Sequence, residues 1–132
     1  MNLTAEQVAQ FDDLGYVFVP GLFSQAEVDV LMAEVPALFA QDRPENVREK
    51  RGGVVRTNFA AHTYNDVYRR LSRHPRLMGP AMQLLGGPVY VHQFKINGKA
   101  AFFAPLIGSV PSSMPPLETR ILSITLGFMA GA

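Results

Sequence analysis

The sequence predicts an α+β fold, helices first and strands after, on three observations. Thr4 with Gln7, and Ser24 with Glu27, have capping-box spacing ahead of apolar helical faces. The His74-Pro75 step and the Gly86-Gly87 pair bracket a further helical pattern. The run from Pro88 to Phe102 is rich in β-formers and carries a polar side chain at every other position, the period of a strand with one apolar and one polar face.

The first helix is expected over Ala5 to Leu14, because Val8, Phe11 and Leu14 recur on one face and Gly15 is placed to end it. Tyr16 to Val19 is a short β-favouring run stopped by the turn pair Pro20-Gly21. A second helix follows Ser24, with Val28, Leu31, Val35 and Leu38 on one face as far as Ala40 and a bend at Pro36. Gln41 to Gly53 is polar and charged and reads as a surface loop, and Val54 to Thr57 as a short strand. Tyr64, Val67, Tyr68 and Leu71 mark a third helix ending near His74, and Pro75 opens a fourth that carries Leu77, Met78, Met82 and Leu85. In the strand Val89 to Asn97, His92, Phe94 and Ile96 share one face, while Gln93, Lys95, Asn97 and Lys99 share the other if Gly98 does not bulge the chain. Beyond Phe102 the composition shifts, and Pro105, Pro111, Pro115 and Pro116 interrupt any ladder of strand hydrogen bonds. The chain therefore divides into residues 1–102, one folded portion, and 103–132, a Pro-rich and apolar tail.

Composition excludes several function classes. The chain has 132 residues, enough for one domain, and 12 Lys plus Arg against 11 Asp plus Glu leave a net charge of +1. No general field draws it to nucleic acid or to an anionic membrane. With no cysteine there are no disulfides and no thiolate metal sites. The amino terminus lacks the basic start and apolar core of a secretory signal, so the expected location is cytoplasmic. The apolar run Ile121 to Ala132 is about a dozen residues, short of the roughly 20 that a membrane helix needs, and is expected to be a hydrophobic tail.

The chemistry-bearing residues are few. His62, His74 and His92 are the only histidines, and none has a second ligand at His-x-Asp or His-x-x-x-His spacing. His74 reads as a helix-end residue and His92 as a core histidine. Arg48, Lys50, Arg51 and Arg56, then Arg69, Arg70, Arg73 and Arg76, either meet an anionic substrate or form solvated faces interleaved with Glu45, Glu49 and Asp66; the near-zero net charge favours the second. Gly52-Gly53 and Gly86-Gly87 lack phosphate-loop spacing, and there is no Gly-x-Ser-x-Gly elbow.

Read in order, Leu3-Thr4-Ala5-Glu6-Gln7, Gly15-Tyr16-Val17, Pro20-Gly21-Leu22-Phe23-Ser24, Val54-Val55-Arg56-Thr57, His74-Pro75 and His92-Gln93-Phe94-Lys95-Ile96-Asn97-Gly98-Lys99 make a pattern that resembles the phytanoyl-CoA dioxygenase family. These are iron(II) and 2-oxoglutarate oxygenases that include ectoine hydroxylase. The resemblance implies a helical amino-terminal flank followed by the first strands of a double-stranded β-helix, or jelly roll. It implies that Lys99 helps to hold the cosubstrate's carboxylate and that Gln93 lies against the substrate. It also implies a His-x-Asp pair about a dozen residues beyond Lys99 and a distant second His, a facial triad for iron. This sequence has no histidine after His92 and no aspartate after Asp66. The expectation is therefore the amino-terminal portion of such an oxygenase, truncated before its metal site, binding no iron and inactive alone. The cofactors that the family uses, Fe(II) and 2-oxoglutarate, would leave this chain at most a small-molecule carboxylate as ligand. Two alternatives stay open: an interaction protein that pairs with itself or with an intact relative through an exposed sheet edge, and a frameshifted product without function.

Overall fold

The computed structural model describes residues 1–50, 53–99 and 121–131. Helix α1 spans Ala5–Leu14 and α2 spans Gln25–Ala40, each opened by the capping box that its sequence predicts. Thr4 accepts from the Gln7 N–H at 3.2 Å while Gln7 Oε1 accepts from the Thr4 N–H at 2.9 Å. Ser24 and Glu27 repeat the exchange at 3.3 and 2.8 Å. Gly15 closes α1 at a φ of 77°, the left-handed geometry that glycine adopts without a steric penalty. The segment between α1 and α2 forms no strand, so the β-favouring run Tyr16 to Val19 is overridden: Tyr16 and Phe18 are exposed and have no sheet beside them. Helix α2 runs through Pro36 to Ala40.

Strand β1, Asn46–Arg48, lies inside the stretch that reads as a loop, and β2 is Val55–Phe59. A 3-10 turn over Ala61–Thr63 leads to α3, Asp66–Ser72, and α4, Pro75–Leu85. Asn65 caps α3 by accepting from the Tyr68 N–H at 3.1 Å, and its own amide donates to Glu34 Oε2 at 2.7 Å, tying α3 to α2. His74 caps α4 through Nδ1, as expected of a helix-end residue, with Pro75 in the first turn.

Strands β3, Val89–Lys99, and β4, Ile121–Ala130, complete a four-stranded antiparallel sheet in the order β1-β2-β3-β4. The apolar run expected to be a tail is thus largely a strand. Its residues pair with β3 from Val89 against Ala130 to Lys99 against Ile121. The proline-bearing segment 103–120 lies outside the described residues.

One face of the sheet carries Phe94 and Ile96 into a core with Leu38 of α2, Ala61 of the turn, and Tyr68 and Leu71 of α3. The Tyr68 ring meets Phe94 edge-on at 5.8 Å, and its hydroxyl donates to the Leu31 carbonyl at 2.8 Å. Burial pushes the Tyr68 phenol above its ordinary range. His92 departs from its expected place on this face. The pairing runs from Val91 opposite Phe128 directly to Gln93 opposite Gly127, so His92 is the extra residue of a β-bulge. Val91 packs on the core in its stead, and His92 is exposed.

Candidate functional site

The sheet face turned away from the helices is the candidate site. Directly opposed residues in antiparallel strands point to the same side, so the register defines three rows. Thr57 of β2 and Asn97 of β3 form one; Phe59, Lys95 and Thr125 form the next; Gln93 and Gly127 form the third. Thr57 Oγ1 donates to Asn97 Oδ1 at 3.2 Å, and the Lys95 ammonium stands 5.4 Å from the Phe59 ring centroid. Gln93 is exposed and has no hydrogen-bond partner among the described residues, and the absence of a side chain at Gly127 leaves its amide unobstructed from across the pair. Lys99 ends β3 opposite Ile121. The alternation predicted for Gln93, Lys95 and Asn97 is thus the observed one from the bulge onward. Thr57, Phe59 and Thr125 join these residues through cross-strand pairing. An ammonium, two amides and hydroxyl groups on one face can donate to a carboxylate and read a polar substrate.

The three histidines do not meet. His62 lies on the helical side, its ring 5.1 Å from Phe94, with a buried Nδ1 that has no partner among the described residues. Burial, followed by the charges of Arg69 and Arg73, holds its pKa below the ordinary value. His74 is occupied as a cap, and His92 stands on the open side 6.4 Å from the Tyr90 ring. Among the described residues no group of three or more His, Cys, Asp or Glu side chains is arranged to hold a metal. The donors among the described residues therefore do not fit an iron centre.

Four of the arginines, Arg43, Arg48, Arg69 and Arg76, are engaged internally. Arg43 lies 3.5 Å over the Tyr64 ring beside Glu45, Arg48 donates to the Gly53 carbonyl at 2.9 Å, and Arg69 pairs with Asp66. Arg76 is the instructive case, since its spacing suggests only a solvated face. Its guanidinium instead bonds to the Leu22 carbonyl and Glu27 and lies 4.5 Å over the Phe23 ring, joining the start of α4 to the start of α2. The hydrogen bond from Arg76, then that from the Ser24 backbone, lower the Glu27 carboxyl from 4.5 to about 2. A carboxylate held low in the folded state stabilises it above the ordinary carboxylate pKa, and that stabilisation is lost as pH falls through the folded value. We predict that stability declines as pH falls from 4.5 towards about 2 and that Glu27→Gln flattens this part of the profile. Chemical denaturation across that range measures it; an unchanged slope in the variant would contradict the assignment.

No helix among the described residues is long and apolar enough to cross a membrane. A helical layer against one face of an antiparallel sheet, with a polar open face beyond, is the architecture with which the jelly-roll dioxygenases begin. The structure matches that of EctD from S. alaskensis with bound Fe at a TM-score of 0.71 and 35% identity, covering 76% of this chain and 37% of that one. The same protein with 2-oxoglutarate and 5-hydroxyectoine matches at 0.70. The chain belongs to the phytanoyl-CoA dioxygenase (PhyH) family, whose model matches residues 11–115. It is 39% identical over 104 residues to an ectoine dioxygenase of Halomonas elongata and 41% identical over 87 residues to an L-proline trans-4-hydroxylase of Streptomyces griseoviridis. These matches cover 76% and 66% of this chain but 31% and 32% of the relatives, so the chain spans about a third of their length, at the amino-terminal portion.

Proposed function

We propose that this chain provides the amino-terminal portion of a 2-oxoglutarate-dependent hydroxylase acting on a small, amino-acid-like molecule, and that the open face of β3 is its contribution to the cavity. The observation that carries this reading is the row of Gln93, Lys95 and Asn97 facing away from the core in the register that β2 and β4 impose. Lys99 is assigned to the carboxylate of the cosubstrate: an ammonium at the end of the strand offers a point charge and several donors to an anion. Gln93 is assigned to the substrate, since an amide both donates and accepts. Lys95, partly turned to Phe59, has a lesser role.

The residues present furnish no facial triad, so the chain by itself binds no iron(II) and does not turn over 2-oxoglutarate. It holds at most the cosubstrate's carboxylate. The test combines titration of the purified chain with 2-oxoglutarate and an assay for succinate and oxygen uptake in the presence of iron(II). Weak binding that Lys99→Ala lowers by about tenfold, the size of one charge-assisted contact, is expected, with a smaller loss for Lys95→Ala. Succinate formation above a protein-free control, coupled to oxygen uptake, would refute the inactive reading. Binding indifferent to Lys99 would refute its role.

A further inference from the structure

A second concave surface lies on the helical layer, on the other side of the sheet from Gln93 and Lys95. Between α2 and α3 a cavity of about 400 Å³ has an apolar floor of Phe23, Val30, Leu31, Val67 and Leu71. It adjoins a second hollow of about 270 Å³ that shares Phe23, Leu31 and Leu71 and continues towards Leu77 of α4 and Ile124 and Leu126 of β4. Together they make a trough in the size range of small-ligand sites.

The charge at its rim is one-sided. Glu27 lines the cavity, but its carboxylate is committed to Arg76. His74 also lines it, with Nδ1 taken by the Arg76 N–H. Arg70 stands at the same rim, exposed, and among the described residues it has neither a hydrogen-bond nor an ion-pair partner. A groove with an apolar floor and an uncommitted guanidinium among its lining residues complements a molecule with an aliphatic body and an anionic head.

From this charge complementarity we infer that the α2–α3 groove is a binding site for an aliphatic carboxylate, its chain lying on Phe23, Leu31 and Leu71 and its carboxylate on Arg70. The site is separate from the open sheet face and does not depend on the reading given to that face. Octanoate is the probe, with octanol as its uncharged counterpart of equal length, followed by amide chemical shifts and by calorimetry. Octanoate should shift the amides around Val30, Val67 and Leu71 and bind more tightly than octanol. Arg70→Gln should weaken octanoate by about tenfold while leaving octanol unchanged. Val30→Asp, at a residue 56% exposed, should abolish binding of both while circular dichroism shows the fold retained. Lys95→Ala should have no effect. Octanol binding as tightly as octanoate, an unaltered affinity in Arg70→Gln, or shifts confined to the neighbours of Gln93 and lost in Lys95→Ala would each overturn the assignment. The Lys99 titration with 2-oxoglutarate reads the other face, so the two readings fail independently.

Discussion

Phe94→Ala is expected to lower the unfolding free energy by about 3–5 kcal/mol, the range for deleting a fully buried aromatic side chain. Phe94 is 2% exposed and sits where three elements converge: Tyr68 of α3 meets its edge, His62 of the 3-10 turn stacks on its face, and Leu126 faces it from β4. None of these can close the hole without leaving its own contacts, since Tyr68 is held by the Leu31 carbonyl and the strands by their ladder. Urea denaturation followed by circular dichroism measures the loss. A change below about 1 kcal/mol would mean that the helical layer does not rest on this residue.

Asn58→Ala should be the next most damaging, through polar rather than apolar loss. The Asn58 side chain is fully buried, and its amide donates to Asn46 Oδ1 at 2.7 Å and to the Tyr64 hydroxyl at 2.8 Å. That hydroxyl reaches the Phe59 carbonyl at 3.0 Å, and the Asn46 amide donates to the Leu38 and Gln41 carbonyls at 2.9 Å. Each buried group stranded without a partner costs about 1–3 kcal/mol, and Asn58→Ala strands one on Asn46 and weakens a second on Tyr64. Tyr64→Phe, which keeps the Asn46 bond, should cost less. Equal losses in the two variants would show that Asn46 draws nothing from the contact. Because Asn58 neighbours Thr57, the network also steadies the strand that presents Thr57 to Asn97.

Much of this architecture is legible in the residues themselves. Capping is local chemistry, so Thr4, Ser24, Pro75 and the glycines after Leu14 and Leu85 mark helix ends without reference to anything distant. Strand β4 was open to the same reading: Ser123, Thr125 and Gly127 alternate with Ile124, Leu126 and Phe128, a period of two that measuring the run against a membrane helix obscures. Strand β1 is too short for periodicity and depends on Asn46 finding the carbonyls at the end of α2. The bulge at His92 escapes an alternation argument because alternation assumes one residue per step, and only the partner strand reveals the extra one. Gln93 and Lys95 could be assigned a face from β3 alone, whereas Thr57, Phe59 and Thr125 join them through pairings that no single segment encodes. Arg76 was hidden for the same reason, its partners lying far back in the chain at Leu22 and Glu27.

The position of β3 between β2 and β4 bears on how the chain is born. A ribosome delivers β2, the helices and β3 before any of β4, so the nascent polypeptide can bury Phe94 and Ile96 beneath α2 and α3 while one side of β3 still has no neighbour. From the emergence of Val89 until Ile121 to Ala130 follow, that side shows a row of unsatisfied amides and carbonyls. Through that interval the open edge can pair with another chain, and a slow codon between Lys99 and Ile121 would prolong the exposure.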